Sequence, residues 1–174
     1  MRKTIISYGK TIIFALLVAF LLTGLIKPTL VKGYSMYPTI RPYSYLIINK
    51  LPYITGKPEY GDIIVFSTNI YTEEGEGKNL IKRVIGLEGD TLEIKGGVVY
   101  RNGYPIEEDY IYGGTTPGEM ELIIVSEGCV FVMGDNRSAS LDSRDSAIGE
   151  IPLKDIMGRV DLRLFPLNEI GVVQ

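Results

Sequence analysis

The chain has 174 residues, a net charge of −3, one cysteine and no histidine. This length is enough for one domain with a hydrophobic core, and the slightly acidic charge argues against a nucleic-acid partner. Histidine is the commonest ligand of transition metals, so its absence, with only one cysteine, argues against a metal site. A single cysteine also excludes an internal disulfide. We therefore expect neither metal nor cofactor.

The N-terminal segment is strongly apolar and predicts a membrane anchor. Three basic residues within the first ten precede an uncharged, mostly apolar run over residues 11–26, which Lys27 and Pro28 end. As a helix, a run of this length spans roughly 24 Å, slightly less than a hydrocarbon core of roughly 30 Å. Flanking lysines that extend toward the lipid head groups can make up the difference.

Three interpretations of this run compete: a buried helix of a soluble domain, a cleavable signal peptide, and an uncleaved anchor. A buried helix should show a polar face, and residues 12–22 have none. Residues 23–28 lack the small-x-small pattern of a cleavage site. The anchor fits best, and the basic N-terminus predicts that this end is cytoplasmic. We therefore divide the chain into a tail with a single-pass plasma-membrane anchor, residues 1–27, and an extracytoplasmic domain, residues 28–174.

Beyond the anchor, short apolar, β-branched and aromatic runs alternate with glycine, proline, asparagine and aspartate, which is typical of strands and turns. The predicted strands cover residues 44–50, 62–67, 80–87, 91–95, 97–101, 121–125, 129–133 and 157–165. The pairs Gly96-Gly97 and Asn102-Gly103 readily adopt the positive φ of tight turns. Because no long segment after residue 30 has helical periodicity, the domain is predicted to be all-β.

Ser35 is a candidate nucleophile. It lies between Gly33, which permits close backbone approach, and Pro38, which prevents a strand from continuing. A tight turn here would expose the Ser35 hydroxyl and its backbone N–H, the groups that a nucleophile and an oxyanion hole require. The alternative is an ordinary turn serine, which this local context alone favours.

Lys82 is the candidate base, because no histidine is present to take the proton of a serine. Alternation along the predicted strand places Lys82 on the same face as Leu80 and Val84. Desolvation on such a face favours the neutral amine, which can accept a proton. The alternative is a solvated pair formed by Lys82 and Arg83 at a strand edge.

Residues 133–144 form a third candidate segment, dense in aspartate, asparagine, arginine and serine. Asp142 and Arg144 can pair in a partly buried loop, and Ser140 can hydrogen-bond a nearby amine. The alternative is an ordinary polar loop, in which such side chains hydrogen-bond their own backbone.

Taken in order behind the anchor, residues 33–39, 60–66, 81–90 and 134–144 resemble the motifs of bacterial type I signal peptidases. Each motif is weak alone, but four in this order are highly specific. The resemblance implies a membrane-bound serine endopeptidase, similar to the small single-anchor form typical of Gram-positive bacteria. It implies a coiled, antiparallel, β-barrel-like sheet, with any second domain reduced to a small subdomain within residues 91–128.

The same resemblance implies roles for individual residues and partners for the protein. Ser35 would be the nucleophile and Lys82 the general base, with the backbone N–H of Ser35 in the oxyanion hole. Ser140 matches the serine that hydrogen-bonds and orients the lysine, and Asp142 and Arg144 match the residues that brace the site. The implied partners are the signal peptides of secreted preproteins, the lipid bilayer and a nearby secretion translocon.

The chain departs from the family pattern at one position, and two alternative functions are compatible with its sequence. Some members of the family have a serine where this chain has Gly33, and its hydroxyl helps to stabilise the oxyanion. Self-cleaving bacterial repressors also use a serine–lysine pair on a related β-fold, but they carry a DNA-binding module instead of a membrane span. A catalytically inactive, membrane-anchored β-domain that binds peptides could keep all the motifs.

Overall fold

The computed structural model describes residues 8, 10–15, 24–71, 75 and 77–173. Residues 1–7, 9 and 16–23 of the predicted anchor lie outside this set, while residues 10–15 and 24–25 are helical. Within the described ranges, no helix is both long enough and apolar enough to cross a bilayer. The transmembrane helix therefore stays a prediction.

The described part of the chain is mostly β-structure, which confirms the all-β prediction for it. Its strands are β1 (Ile26–Leu30), β2 (Tyr45–Asn49), β3 (Ile63–Tyr71), β4 (Gly77–Leu87), β5 (Thr91–Lys95), β6 (Val98–Arg101), β7 (Tyr104–Pro105), β8 (Met120–Ile124), β9 (Cys129–Met133), β10 (Ile151–Pro152), β11 (Ile156–Phe165) and β12 (Gly171–Val172). The helical turns are α1 (Pro52–Thr55) and three short 3-10 turns at Arg137–Ala139, Leu153–Asp155 and Leu167–Glu169.

Every strand predicted from the sequence is present, and four short ones, β1, β7, β10 and β12, were not predicted. Strand β1 begins at Ile26, two residues before the predicted domain boundary at Pro28. It pairs antiparallel with β2, with Ile26 opposite Asn49 and Leu30 opposite Tyr45. Residues 26–30 become a strand because they pair with β2, which is distant in sequence. Their own sequence, at the end of the apolar run, gave no indication of this pairing.

The strands form two antiparallel sheets. The larger has the order β1–β2–β11–β3–β4–β9–β10, with β12 paired to β11, and the smaller has the order β7–β6–β5–β8. Strand β11 inserts between β2 and β3, so the centre of the larger sheet is built from non-local pairings. The smaller sheet, β5 to β8, lies within residues 91–128, the range expected for a small subdomain.

Strand β3 shows how the larger sheet is buried on both faces. Ile63 and Val65 belong to one hydrophobic cluster, and Ile64 and Phe66 belong to a second. None of the four is more than 3% exposed, which explains why this first part of the strand is continuously apolar rather than alternating. A third cluster joins the two sheets through side chains of β4, β5, β6 and β9, including Ile85, Leu92, Ile94, Val99, Phe131 and Met133.

The first cluster should determine much of the stability of the domain. Leu46 is fully buried within it, at 0% exposure, whereas Leu51 is 55% exposed. We expect Leu46→Ala to lower the free energy of unfolding by about 2–5 kcal/mol, because it removes buried apolar atoms and leaves a cavity. The control, Leu51→Ala, should change it by less than about 0.5 kcal/mol. Chemical denaturation measures both, and equal losses would contradict this core assignment.

Candidate active site

The structure brings Ser35 and Lys82 together from distant parts of the sequence. Lys82 Nζ donates a hydrogen bond of 2.7 Å to Ser35 Oγ and a second, of 2.9 Å, to the C=O of Ile81. Ser35 lies in the turns that follow β1, whereas Lys82 lies within β4. A serine hydroxyl and a lysine amine in direct contact can exchange a proton.

The turn that carries Ser35 is held by packing on one side and by a backbone contact on the other. Met36 and Ile40 are at most 1% exposed and join the first hydrophobic cluster. The backbone N–H of Asn136 donates to the C=O of Ser35 at 3.0 Å. The Ser35 backbone is therefore fixed to the core and to the loop that follows β9.

The backbone N–H of Ser35 is available to a substrate. It has no hydrogen-bond acceptor within the part of the chain that the structure describes, and the Ser35 side chain is half-buried. The space at Gly33 is open, because a Cβ there would meet no atom within 4 Å. This N–H can therefore donate to an oxygen that develops negative charge beside Ser35.

The Lys82 side chain is almost completely removed from water, at 2% exposure. Leu80 and Val84 flank it on the same face of β4, and Ile64 lies opposite it on β3. All three belong to the second hydrophobic cluster. Lys82 is therefore the predicted lysine on an apolar strand face, and the alternative of a solvated pair with Arg83 is wrong, since Arg83 is also buried at 4% exposure.

Burial is the main cause of an unusual pKa at this lysine. Desolvation disfavours the ammonium ion and lowers the pKa of Lys82 to about 8. Nearby charges have smaller effects: the Asp142 carboxylate raises the pKa of Lys82, and the Lys78 ammonium lowers it. Because the value is close to neutral pH, a useful fraction of the protein holds Lys82 as a neutral amine that can accept a proton.

Asp142 and Arg144 form the partly buried pair that the sequence predicts. Asp142 is 0% exposed, and Arg144 donates from Nε to Oδ1 at 2.8 Å and from Nη2 to Oδ2 at 2.9 Å. The Gly134 N–H also donates to Oδ2, at 2.9 Å. Burial by itself would raise the pKa of Asp142, but the hydrogen bonds and charge of Arg144, with help from Ser140 and Gly134, hold it below its usual value. Asp142 therefore stays ionised.

Ser140 lies in the site but does not make the predicted hydrogen bond to Lys82. Its Oγ is buried and has no hydrogen-bond partner of normal geometry among the described residues, although the hydroxyl is close enough to Asp142 to help lower the pKa of that carboxyl. It packs against Gly134, where an added Cβ would overlap both Ser140 Oγ and the Ser35 carbonyl oxygen. The Lys82 amine instead contacts Ser35 Oγ and the C=O of Ile81.

A second buried pair, between Arg83 and Asp135, was missed from the sequence. Arg83 donates from Nε to Oδ1 at 2.9 Å and from Nη2 to Oδ2 at 2.8 Å, and the Thr39 hydroxyl also donates to Asp135. The Arg83 guanidinium lies 4.0 Å from the centre of the Tyr110 ring. The available signal was an arginine directly after the candidate base and an aspartate in the polar loop. Their pairing depends on β4 and β9 being neighbours.

The buried amine predicts that Lys82→Met makes the protein more stable. The pKa of Lys82 falls from 10.5 to about 8 on folding, so the unfolded chain binds more protons between these pH values. The stability cost of Lys82 is therefore fully present below pH 8 and is lost as the pH rises to 10.5. We expect a gain of roughly 2–3 kcal/mol at about pH 7 for Lys82→Met, disappearing above about pH 10. Urea unfolding of both proteins across this range measures it, and parallel curves would contradict an ammonium ion buried at low pH.

Comparison with known proteins identifies the family of this chain. The family model described as signal peptidase, peptidase S26, matches residues 5–165. The probable signal peptidase I-1 of Synechocystis is 38% identical, covering 92% of this chain and 80% of that protein. Signal peptidase I of Bacillus licheniformis is 35% identical, covering 97% and 93%. A solved signal peptidase I from Enterococcus faecalis is 30% identical, with a TM-score of 0.49, and covers 59% of this chain and 96% of that one. The chain therefore belongs to the signal peptidase family, peptidase S26, and is a peptidase.

Proposed function

We propose that the protein removes signal peptides from exported preproteins, with Ser35 as nucleophile and Lys82 as general base. The observation that carries the proposal is the 2.7 Å contact between the Ser35 hydroxyl and a buried amine whose pKa is about 8, in a chain without histidine. Membership of the family supports peptide-bond hydrolysis, and the names of the relatives support signal peptides as the substrates.

The proposed reaction has two stages. In the first, neutral Lys82 Nζ accepts the hydroxyl proton as Ser35 Oγ attacks the scissile carbonyl, and the Ser35 backbone N–H donates to the oxyanion. The intermediate then collapses to an ester on Ser35, and the Lys82 ammonium gives its proton to the leaving amine. In the second, neutral Lys82 takes a proton from water as the water oxygen attacks the ester carbonyl. The Lys82 ammonium then gives this proton to Ser35 Oγ as the bond to the acyl group breaks, which releases the new C-terminal carboxyl group and restores the Ser35 hydroxyl.

The substrate is proposed to bind as an added strand beside residues 30–35 and 79–82. Strand β9 pairs with β4 only from Arg83 to Leu87, so the edge of β4 before Arg83 carries no strand among the described residues other than β3 on its opposite side. An extended peptide can use such an edge for main-chain hydrogen bonds while its side chains enter pockets at alternate positions. This geometry would present the scissile carbonyl to Ser35.

Asp142, Arg144 and Ser140 are proposed as supporting residues. Asp142 accepts a hydrogen bond from the Gly134 N–H, and its charge keeps the pKa of Lys82 from falling further. Arg144 neutralises Asp142 and donates to the C=O of Arg137. Ser140, which makes no hydrogen bond to Lys82, would act through its position against Gly134 and Asp142.

The location of the enzyme is a further part of the proposal. The N-terminal segment would form a single membrane anchor with a cytoplasmic N-terminus. The anchor would end near residue 25, because Ile26 and Lys27 lie in β1, and the β-domain would lie outside the plasma membrane near the secretion translocon. The apolar run over residues 11–26 and the basic residues before it support this orientation. Strand β1 begins at Ile26 and the C=O of Leu25 accepts a hydrogen bond from Lys50, so the β-domain needs residues from about 24 onward.

The proposed dyad predicts that Ser35→Ala and Lys82→Arg each abolish cleavage of a preprotein. The first removes the nucleophile, and the second replaces the base by a guanidinium that cannot lose its proton. We expect losses of several orders of magnitude, whereas the exposed-site controls Ser126→Ala and Lys57→Arg should keep full activity. The cleavage position is read by mass with the full chain in detergent, and the wild-type rate should rise with pH through about 8. Turnover by either dyad variant would contradict the assignment, and an inactive wild-type protein would favour a peptide-binding domain.

The proposed anchor predicts that the catalytic chemistry survives without it. A chain that begins at Gly24 keeps all of β1 and should cleave a soluble peptide with a small-x-small end at close to the full-length rate. It should act more slowly on preproteins in lipid vesicles, because tethering raises the local concentration of enzyme beside its substrate. Complete loss of peptide cleavage, with the truncated chain still folded by circular dichroism, would mean that the residues before Gly24 belong to the catalytic fold.

A further inference from the structure

Residues 106–119, here called the strap, connect β7 to β8 of the smaller sheet. They also contact residues that neighbour the proposed catalytic pair. The strap contacts partners that lie beside Ser35, beside Lys82, and in the loop after β9. These contacts are Glu108 and Thr116 with Arg137, Tyr110 with Arg83, and Tyr112 with both Asp135 and Tyr37. The mechanism proposed above uses none of the strap residues.

One of these contacts is an ion pair between Glu108 and Arg137 that is almost completely buried. The exposed fractions of the two side chains are 6% and 0%. Arg137 Nη1 donates to Glu108 Oε2 at 3.1 Å, and Nη2 donates to Oε1. Two other strap residues complete the cluster: the Thr116 hydroxyl accepts from Nη1, and the Tyr110 hydroxyl donates to Glu108 at 2.9 Å. A guanidinium this deeply buried needs a paired carboxylate, because an unpaired charge is very costly in the protein interior.

Arg137 connects this cluster to the candidate active site through the backbone. Its Nε donates to the C=O of Gly134 at 3.0 Å, and the N–H of Gly134 donates to Asp142. In the same segment, the backbone N–H of Asn136 donates a hydrogen bond to the C=O of Ser35. A shift of the backbone at residues 134–137 would therefore move both the nucleophile and the carboxylate whose charge acts on the base.

We propose that Glu108 is a positioning residue for the proposed peptidase: by holding Arg137, it sets the backbone at residues 134–137 against which Ser35 and Asp142 are placed. The proposal rests on the Ser35–Lys82 function given above. Glu108 acts through Arg137 and touches neither reacting side chain. The smaller sheet then contributes to the rate of the chemical step, because its strap supplies the carboxylate that the arginine of the larger sheet requires.

The test compares Glu108→Gln with Glu107→Gln in the full-length protein. The first substitution keeps the shape of the side chain but removes its charge, whereas Glu107 is the exposed neighbour on the strap. We expect kcat on a soluble signal-peptide substrate to fall about 10- to 100-fold for Glu108→Gln with KM within about twofold, because a small displacement of catalytic groups costs about this much in rate. Glu107→Gln should match the wild type, and Glu108→Asp should recover part of kcat.

A double variant, Glu108→Gln with Arg137→Met, distinguishes the positioning role from a role in folding alone. It removes the unpaired charge, so the folded fraction should recover even if Glu108→Gln alone unfolds. Positioning predicts that kcat stays low in this folded protein, because the Gly134 C=O has lost its donor. Recovery of kcat with folding, or a Glu108→Gln enzyme with unchanged kcat, would overturn the proposal. Ser35→Ala is assayed in parallel to separate the proposed function from the positioning role. An active Ser35→Ala variant would overturn both. An inactive Ser35→Ala variant together with a fully active Glu108→Gln variant would overturn the positioning role alone.

Discussion

The Lys82 amine lies 2.7 Å from the Ser35 hydroxyl and is 2% exposed to water. Keeping this amine dry is the constraint on which the site depends, because a solvated lysine is protonated at neutral pH and cannot accept the serine proton. The sheet meets the constraint by placing Lys82 on an apolar strand face, opposite Ile64. The same burial destabilises the fold at neutral pH. The low pKa that Lys82 needs for its proposed role is therefore obtained at the expense of the stability of the domain.

The charged groups around the dyad are themselves buried in pairs. Arg144 holds Asp142, and Arg83 holds Asp135. Buried ion pairs of this kind add little net stability, because desolvation offsets most of their attraction. What they provide here is a defined geometry: each arginine also donates to a backbone carbonyl, that of Arg137 in one case and of Gly61 in the other. The first arginine thereby fixes the loop after β9 internally, and the second ties this loop to β4, while the N–H of Asn136 holds the loop against the Ser35 turn.

Most strands of the domain were predictable because each is a short apolar or β-branched run between turn residues. Such a run forms a strand whichever strand becomes its neighbour. The short strands β1, β7, β10 and β12 were not, since their assignment depends on a neighbouring strand rather than on their own residues. The proposed dyad was predictable in part by elimination, because a chain without histidine leaves lysine as the candidate base for a serine. The contact of Glu108 with Arg137 left no such signal, because an acidic residue in a long loop normally lies in solvent.

Several properties of this protein can be read from its amino-acid sequence: the residue types available for chemistry, the order of the motifs, the all-β character of the domain and the apolar character of its N-terminal run. These properties are local, or they follow from composition. Three other properties depend on the folded chain: the burial of Lys82, the contacts of its amine with Ser35 and Ile81 rather than with Ser140, and the carboxylate with which each arginine pairs. The reason is physical: desolvation and ion pairing depend on which distant strands and loops become neighbours, and the insertion of β11 between β2 and β3 shows that this order does not follow the order of the chain.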